Sequence, residues 1–185
     1  MATSPSPLNY FLGKGIVKWQ PTAGGGFRDL GNTPMFETTP VPTRLPHYNS
    51  RQGVQRLDEN PVSRVTMTCK FHLEEITPEN LALALLGSQQ AGPPITVNVM
   101  DIGVVSGWLR MIGTNNVGDM KQVDLPSVTL APSAGFQWIS EAWGLLEITA
   151  EVLASAVTPG PGGLTMMTVG SFGVITNGIT GEVAY

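Results

Sequence analysis

The segment from Val62 to Leu73 constrains the fold more than any other part of the chain, because its side chains alternate strictly in polarity. The apolar residues are Val65, Met67, Cys69, Phe71 and Leu73. The polar residues that alternate with them are Arg64, Thr66, Thr68, Lys70 and His72. A period of two residues is typical of a β-strand with one face in a core and the other facing water. The sequence therefore predicts a long amphipathic strand here.

The composition favours a turn-rich β protein that associates with other subunits. The chain has 185 residues, of which 22 are Gly and 15 are Pro, and this content disfavours a helical bundle. Apolar residues make up 42%, as in a folded chain, and the length suggests one domain. Charged residues make up only 13%, about half of the usual share of roughly 25%. We therefore expect much of the surface to be buried against other subunits.

One segment, residues 77–86, carries the signals of a helix. Thr77 suits the N-cap, Pro78 suits the first helical position, and Glu79 suits the positive end of the helix dipole. Ten residues do not hold a helix alone in water, so this helix must pack on a sheet. Together with several short strand signals, it predicts a mainly β fold: an antiparallel β-sandwich or barrel-forming sheet flanked by one α-helix.

The rest of the chain is organised around this domain. Residues 1–12 are predicted to form an N-terminal arm that lies against a neighbouring subunit through Leu8 and Tyr10, and residues 13–185 a single domain. The Ser- and Pro-rich start lacks the features of a signal peptide, and no apolar run is long enough to insert into a membrane. The sequence thus indicates synthesis in a cytoplasm.

Residues 43–61 are predicted to form a long polar loop. Loops of this length in compact domains are usually functional or disordered. Charges of both signs make a poor core but suit contacts between subunits. The candidate contact residues are Arg44, Arg51, Arg56, Asp58 and Glu59.

Charge is unevenly distributed along the chain. Residues 1–70 hold eight Lys/Arg and four Asp/Glu, whereas residues 71–185 hold two Lys/Arg and ten Asp/Glu. Such a chain can pair with copies of itself, positive end to negative end, unless folding mixes the two sets. It is not a nucleic-acid binder of the basic-patch kind.

The sequence contains no recognisable catalytic, cofactor or metal site. Only two histidines and one cysteine exist, and Cys69 and His72 should point to opposite faces of their strand. The glycine-rich stretches lack the spacing of phosphate-binding loops. Trp108, Trp138 and Trp143 are expected in a core or an interface. We therefore expect a structural protein and not an enzyme, with no cofactor.

The order and spacing of five pieces between Leu8 and Gly87 resemble the major tail tube proteins of long-tailed, siphovirus-type bacteriophages. The pieces are Tyr10-Phe-Leu-Gly-Lys-Gly-Ile-Val-Lys-Trp, Arg28-Asp-Leu-Gly-Asn-Thr-Pro-Met-Phe-Glu, Leu45-Pro-His-Tyr-Asn-Ser-Arg-Gln-Gly-Val, Gln55-Arg-Leu-Asp and Glu74-Glu-Ile-Thr-Pro-Glu-Asn-Leu-Ala-Leu-Ala-Leu-Leu-Gly. The second half of the chain matches only in its length and strand-rich pattern.

The resemblance implies a structural virion protein of the phage tail, assembled in the bacterial cytoplasm. Six copies would form a ring, and stacked rings would form a tube around a tape-measure protein, closed at its ends by other tail proteins. DNA would later pass through the lumen without specific binding during genome ejection. Two alternatives stay open: a carbohydrate-binding β-sandwich module, and less favoured, a small β-barrel isomerase.

Two strands are candidates for the lumen wall in such a tube. In the segment 145–153, apolar residues alternate with Glu147, Thr149 and Glu151, which we expect on the water side. The strand 62–73 would add Arg64 and Lys70. Because free cations attract phosphates, we expect both to be paired with carboxylates such as Glu147 or Glu151.

Overall fold

A computed structural model of the chain describes residues 6–51, 53–114, 118–132, 135–154 and 172–177. Antiparallel strands and one α-helix make up its regular structure, which confirms the predicted mainly β fold. The strands are β1 (Gly15–Pro21), β2 (Arg28–Asp29), β3 (Met35–Arg44), β4 (His47–Asn49), β5 (Arg56–Glu59), β6 (Val62–Leu73), β7 (Ser88–Gln90), β8 (Thr96–Asn98), β9 (Val105–Gly113), β10 (Lys121–Pro132), β11 (Leu146–Val152) and β12 (Val174–Asn177), and the helix is α1 (Pro78–Ala84).

Eight strands form one sheet in the order β2-β1-β9-β10-β11-β6-β3, with β12 also paired to β10. The pairs β4-β5 and β7-β8 form two small separate ladders. Strand β3 lies at the edge of the sheet, where its prolines Pro40 and Pro42 need not donate hydrogen bonds to a second neighbour. The edge position explains how a segment with two prolines forms a strand of ten residues.

The core lies against one face of this sheet. Phe71, Leu109 and Ile148, from β6, β9 and β11, are completely buried, and the helix packs Ala84 and its neighbour Leu83 against them. Strand β11 buries its even-numbered residues, as its alternation predicts. Packing of the apolar stripes from several strands into one cluster is what holds the sheet together.

The helix begins as predicted. The Thr77 side chain accepts a hydrogen bond from the backbone N–H of Asn80 at 3.2 Å, which makes Thr77 the N-cap. The helix ends earlier than residue 86, since Leu86 has a positive φ of 47° and the Gly87 N–H bonds to the carbonyl of Ala82. Among the described residues, no helix combines the length and the apolar character that a membrane crossing requires.

The glycine after the helix lies against a neighbouring backbone. Gly87 is not the left-handed residue of the helix end, because Leu86 takes that conformation. A Cβ atom at position 87 would overlap the carbonyl oxygen of Asn98 in β8. The close approach of a neighbouring backbone therefore accounts for glycine here.

The prediction of a loop over residues 43–61 is wrong. Strand β3 continues to Arg44, β4 and β5 pair with each other, and β6 begins at Val62. The Leu45 N–H donates to the Pro61 carbonyl at 3.0 Å and continues the ladder between β3 and β6. Backbone pairing needs no apolar side chain, so a polar, charged segment adopts strand structure here because its neighbour offers partners.

Candidate functional site

The face of the sheet opposite the core is polar along most of its width. Its rows follow the strand register, in which Glu37 lies beside Lys70 and Lys70 beside Thr149. In the next row Thr68 lies beside Glu151. Register partners share a face, so β3, β6 and β11 present one continuous polar surface, which we call the polar face.

An ion pair connects two strands of the polar face. Lys70 Nζ lies 3.1 Å from Glu147 Oε2, and His72 Nε2 lies 3.8 Å from the same oxygen, which is too long for a hydrogen bond. The hydrogen bond from Lys70 holds the pKa of Glu147 below its usual value. The prediction that Lys70 is paired with a carboxylate is thus confirmed, and Glu147 is the partner.

A second pair on this face was not anticipated from the sequence. Arg110 Nε lies 2.6 Å from Asp124 Oδ1, and Gln122 donates to the other carboxylate oxygen at 2.5 Å. The Arg110 guanidinium also lies 4.4 Å from the centre of the Phe27 ring, in a cation–π contact. Only the register between β9 and β10, which places Arg110 opposite Asp124, reveals this pair.

Arg64 does not belong with the other lumen candidates. Strand β11 ends where Val152 pairs with Met67, so neither Glu147 nor Glu151 reaches Arg64. Arg64 lies beside Thr43 of β3 and has no ion pair within the described chain. The predicted pairing of Arg64 with Glu147 or Glu151 is therefore wrong, because the register carries Arg64 past the end of the neighbouring strand.

The charges of the polar face nearly balance. Four basic residues and five acidic residues share the parity that points away from the core: Lys18, Arg64, Lys70 and Arg110; Asp29, Glu37, Asp124, Glu147 and Glu151. Together with Thr149, these residues form a face of mixed charge, on which the pair of Arg110 and Asp124 is largely buried. Whether this face lines a lumen stays a prediction.

The part of β6 before Met67 pairs only with β3, and these two strands extend past the end of β11 as a ribbon. It consists of residues 40–67, which we call the outer hairpin, and it ends in the β4–β5 ladder. Several large apolar side chains on it are exposed, namely Val41, Leu45, Tyr48, Val54, Leu57, Val62 and Val65. Val54 is 73% exposed and Leu45 65%. Exposed apolar residues are thus concentrated on one ribbon of the molecule.

The charged residues of the outer hairpin divide into two groups. Arg44 donates to the Asn60 carbonyl at 3.1 Å, and His47 Nδ1 lies 2.5 Å from Asp58 Oδ1. This hydrogen bond from His47 holds the pKa of Asp58 below its usual value. The side chains of the other three candidates, Arg51, Arg56 and Glu59, make no hydrogen bond or ion pair with other described residues.

Acidic residues gather at the opposite end of β6. Glu74 and Glu75 follow the strand directly. Glu74 accepts a hydrogen bond from the side chain of Asn32, and Glu75 accepts one from the backbone N–H of Asn32. Asp29 lies nearby and accepts from the N–H of Gly31 at 2.9 Å. Since a strand of this length spans roughly 40 Å, an acidic end and an arginine-rich outer hairpin lie far apart on one molecule.

The predicted arm anchors are only partly within the described chain. Residues 1–5 and the side chain of Leu8 lie outside it. Residues 7–9 form one turn of 3-10 helix, and Tyr10 after it is 59% exposed. Contact of Leu8 and Tyr10 with a neighbouring subunit stays a prediction.

The cysteine of the chain, Cys69, is buried in the core. Burial raises the pKa of Cys69 to about 12, so its thiol is protonated and inert near neutral pH. Across the described ranges, no three side chains of His, Cys, Asp and Glu converge as a metal ion would require. The features that stand out are surfaces: the polar face, the outer hairpin and the acidic end.

A comparison with protein families matches the first part of the chain. The family model described as Protein of unknown function UCP028589 matches residues 10–107, more than half of the chain, from the segment before β1 into β9. The matched region contains the outer hairpin, the acidic end and α1. A search of the curated proteins found no significant match.

Proposed function

The chain belongs to the family described as Protein of unknown function UCP028589, and we propose that it is a structural protein whose copies assemble head to tail into rings and a tube. The outer hairpin carries this proposal. Its exposed apolar side chains project from the domain, where no described part of the same chain covers them. A monomer that exposes such a ribbon risks aggregation, whereas a second copy that covers it gains apolar burial.

Opposite charges at the two ends of β6 support a head-to-tail arrangement. The outer hairpin carries Arg44, Arg51, Arg56 and Arg64 against Asp58 and Glu59, so its net charge is positive. The other end carries Asp29, Glu74 and Glu75. A contact between two different patches is heterologous, and it propagates into a closed ring or an open filament. Charge complementarity of this kind favours association in one orientation.

In the proposed tube the polar face is the inner wall. Its mixed charges, with no excess of cations, suit a duct through which DNA slides, because unpaired cations would each add affinity for phosphate. The ion pairs of Lys70 with Glu147 and of Arg110 with Asp124 keep two cations occupied. The function that fits these features is that of a phage tail tube protein, built around a tape-measure protein and conducting DNA to the host.

The outer hairpin provides the test. Replacing residues 47–59 by Asn-Gly removes the β4–β5 ladder and closes the β3–β6 ribbon with a two-residue turn. A matched control replaces residues 91–95, between β7 and β8, by the same turn. We expect both variants to fold, and only the first to lose rings and tubes in negative-stain electron microscopy.

A second pair of variants keeps the backbone intact. Tyr48→Ser and Leu57→Ser remove apolar contacts from exposed positions, so they should leave the thermal unfolding temperature within a few degrees and abolish assembly. Tubes of normal length from these variants, or an unmodified chain that stays monomeric at every concentration, would overturn the proposal.

A carbohydrate-binding module is the second candidate. Trp138 and Trp143 are 71% and 96% exposed, and exposed indoles are suited to stacking on sugar rings. Dispersed monomers whose tryptophan fluorescence shifts on addition of an oligosaccharide would favour this candidate over assembly.

A further inference from the structure

An apolar groove runs between α1, the turn after β1 and the start of β9. It has a volume of about 400 Å³, within the range of pockets that hold a ligand or an anchoring side chain. Trp19, Ala82, Leu83, Ile102 and Val105 form its apolar walls, and Gly24 to Gly26 form its lip. The groove thus offers space for large apolar side chains.

Two charged residues line this groove, Arg28 and Glu79. Arg28 donates to Asn80 Oδ1 at 2.8 Å, and no ion pair within 4 Å joins it to a described acidic group. Glu79 accepts from the side chain of Gln89 at 3.1 Å. Partial burial lowers the pKa of Arg28, although the charges of Glu79 and Asp29 oppose this effect. A half-buried guanidinium with no carboxylate at ion-pair distance favours a partner that brings one.

The connection between β10 and β11 carries features complementary to the groove: exposed apolar side chains and a carboxylate. Residues 137–143, which we call the tryptophan loop, expose Trp138, Ile139 and Trp143, the last two at 97% and 96%. Phe136 anchors the base of the loop in an edge contact with Trp138, 4.7 Å between ring centres. Glu141 lies between the exposed apolar residues and is itself exposed. The loop therefore combines aromatic anchors with one carboxylate.

We propose that the tryptophan loop of one copy docks into the groove beside α1 of a second copy, with Glu141 facing Arg28. The loop and the groove do not meet within one chain, since no residue of the loop lines the groove. Each copy carries one of each, so the contact is head to tail and continues from copy to copy. This inference rests on the proposed self-assembly and names one of its contacts.

The size of the surfaces suits an anchoring role. An aromatic side chain buries roughly 150–250 Å² when enclosed, and such residues are enriched among those that dominate protein interfaces. A stable interface buries about 1,200–2,000 Å² in total. The tryptophan loop would supply the central anchor and other surfaces, including the outer hairpin, the remaining area.

Cysteine cross-linking tests the contact directly. Ala142→Cys and Gly26→Cys place one thiol on the loop and one on the lip of the groove, where a Cβ at position 26 meets no atom within 4 Å. Mixing the two single variants under oxidation should give a covalent dimer, and the double variant a ladder of multimers. The buried Cys69 does not compete. Chains that assemble without any cross-link, or a cross-link only within one chain, would overturn the docking.

Charge exchange gives an independent readout. Glu141→Arg should raise the concentration needed for assembly at least tenfold, and addition of Arg28→Glu in the same chain should restore most of the loss. Because Arg28→Glu also removes the hydrogen bond to Asn80, the thermal unfolding of this variant is measured alongside. If the Arg28→Glu variant does not fold, Arg28→Gln takes its place. In the Arg28→Gln background, Glu141→Arg should cause no further loss of assembly. Ile175→Ala, at an exposed position outside the groove and loop, is the control for lost apolar surface.

The outcomes separate the two proposals. If the Glu141→Arg variant assembles at the same concentration as the unmodified chain, the proposed docking of the loop is wrong, and the proposed self-assembly is unaffected. If the unmodified chain never associates, both proposals are wrong. Binding of an oligosaccharide to the tryptophan loop of dispersed monomers would also overturn the docking.

Discussion

The two halves of strand β6 share one pattern and lie in different surroundings. In the inner half, Cys69, Phe71 and Leu73 are completely buried. In the outer half, Val65 belongs to the same alternating apolar set, yet it is 47% exposed. Alternation therefore states which face of a strand is apolar, and not whether anything covers that face.

The neighbours of the strand account for the difference. The inner half is paired on both sides, with β3 and with β11, whereas beyond Met67 only β3 remains beside it. A ribbon of two strands is marginal in water on its own. The outer half is held by its continuity with the sheet, and its apolar residues stay exposed.

The largest expected effect separates the two halves by stability. Phe71→Ala leaves a cavity in the core and should lower the free energy of unfolding by about 3–5 kcal/mol. Val65→Ala removes atoms that are largely exposed and should change it by less than about 0.5 kcal/mol. Denaturant unfolding of the two monomeric variants measures both values. Equal losses would show that the outer half is as well packed as the inner half.

A smaller effect is expected where α1 closes over the core. Thr77→Ala removes the side-chain oxygen that accepts from Asn80, so stability should fall by about 1 kcal/mol. The matched substitution in the outer half is Thr66→Ala, which loses only a 3.4 Å hydrogen bond to the Val41 carbonyl at an exposed position. Its cost should be a few tenths of a kcal/mol. A larger loss from Thr66→Ala would contradict the comparison.

The smallest effect is a pH dependence on the polar face of the inner half. The pKa of Glu147 is depressed in the folded chain, so its pair with Lys70 stabilises above the unfolded pKa and loses this contribution as pH falls through the folded value. Glu147→Gln should cost less than about 1 kcal/mol at pH 7, since the pair is partly exposed, and the difference should vanish in acid.

Glu151→Gln is the control for this titration, because no ion pair joins Glu151 to another described residue. At pH 7 its unfolding free energy should match that of the unmodified chain. A Glu147→Gln variant with the same loss at pH 3 and pH 7 would assign the effect to packing and not to charge.

The sequence predicted those features well that depend on the residues of a single strand or a single turn of helix. The bounds of β6 and the N-cap Thr77 are as predicted. The alternation of β11 places Glu147 and Glu151 away from the core, as expected. These are properties of neighbouring residues, which a period or a cap residue encodes directly.

The candidate surfaces were predicted less completely. Lys70 was expected to meet a carboxylate and does, but Arg64 was expected to do the same and lies past the end of β11. The pair of Arg110 and Asp124 was missed altogether. In each case the deciding quantity is the register between strands that are far apart in sequence, which no local pattern specifies.

The sequence by itself determined the mainly β class, the strand over 62–73 and the capped helix, because composition, period and capping act over a few residues. Only the tertiary structure decided that β4 and β5 form where a loop was predicted, that the outer half of β6 stays uncovered and that the tryptophan loop is exposed. These outcomes depend on which backbone groups find partners and which apolar faces find neighbours. Both are set by the packing of the whole chain, and the pairing of one strand limits what remains for the next.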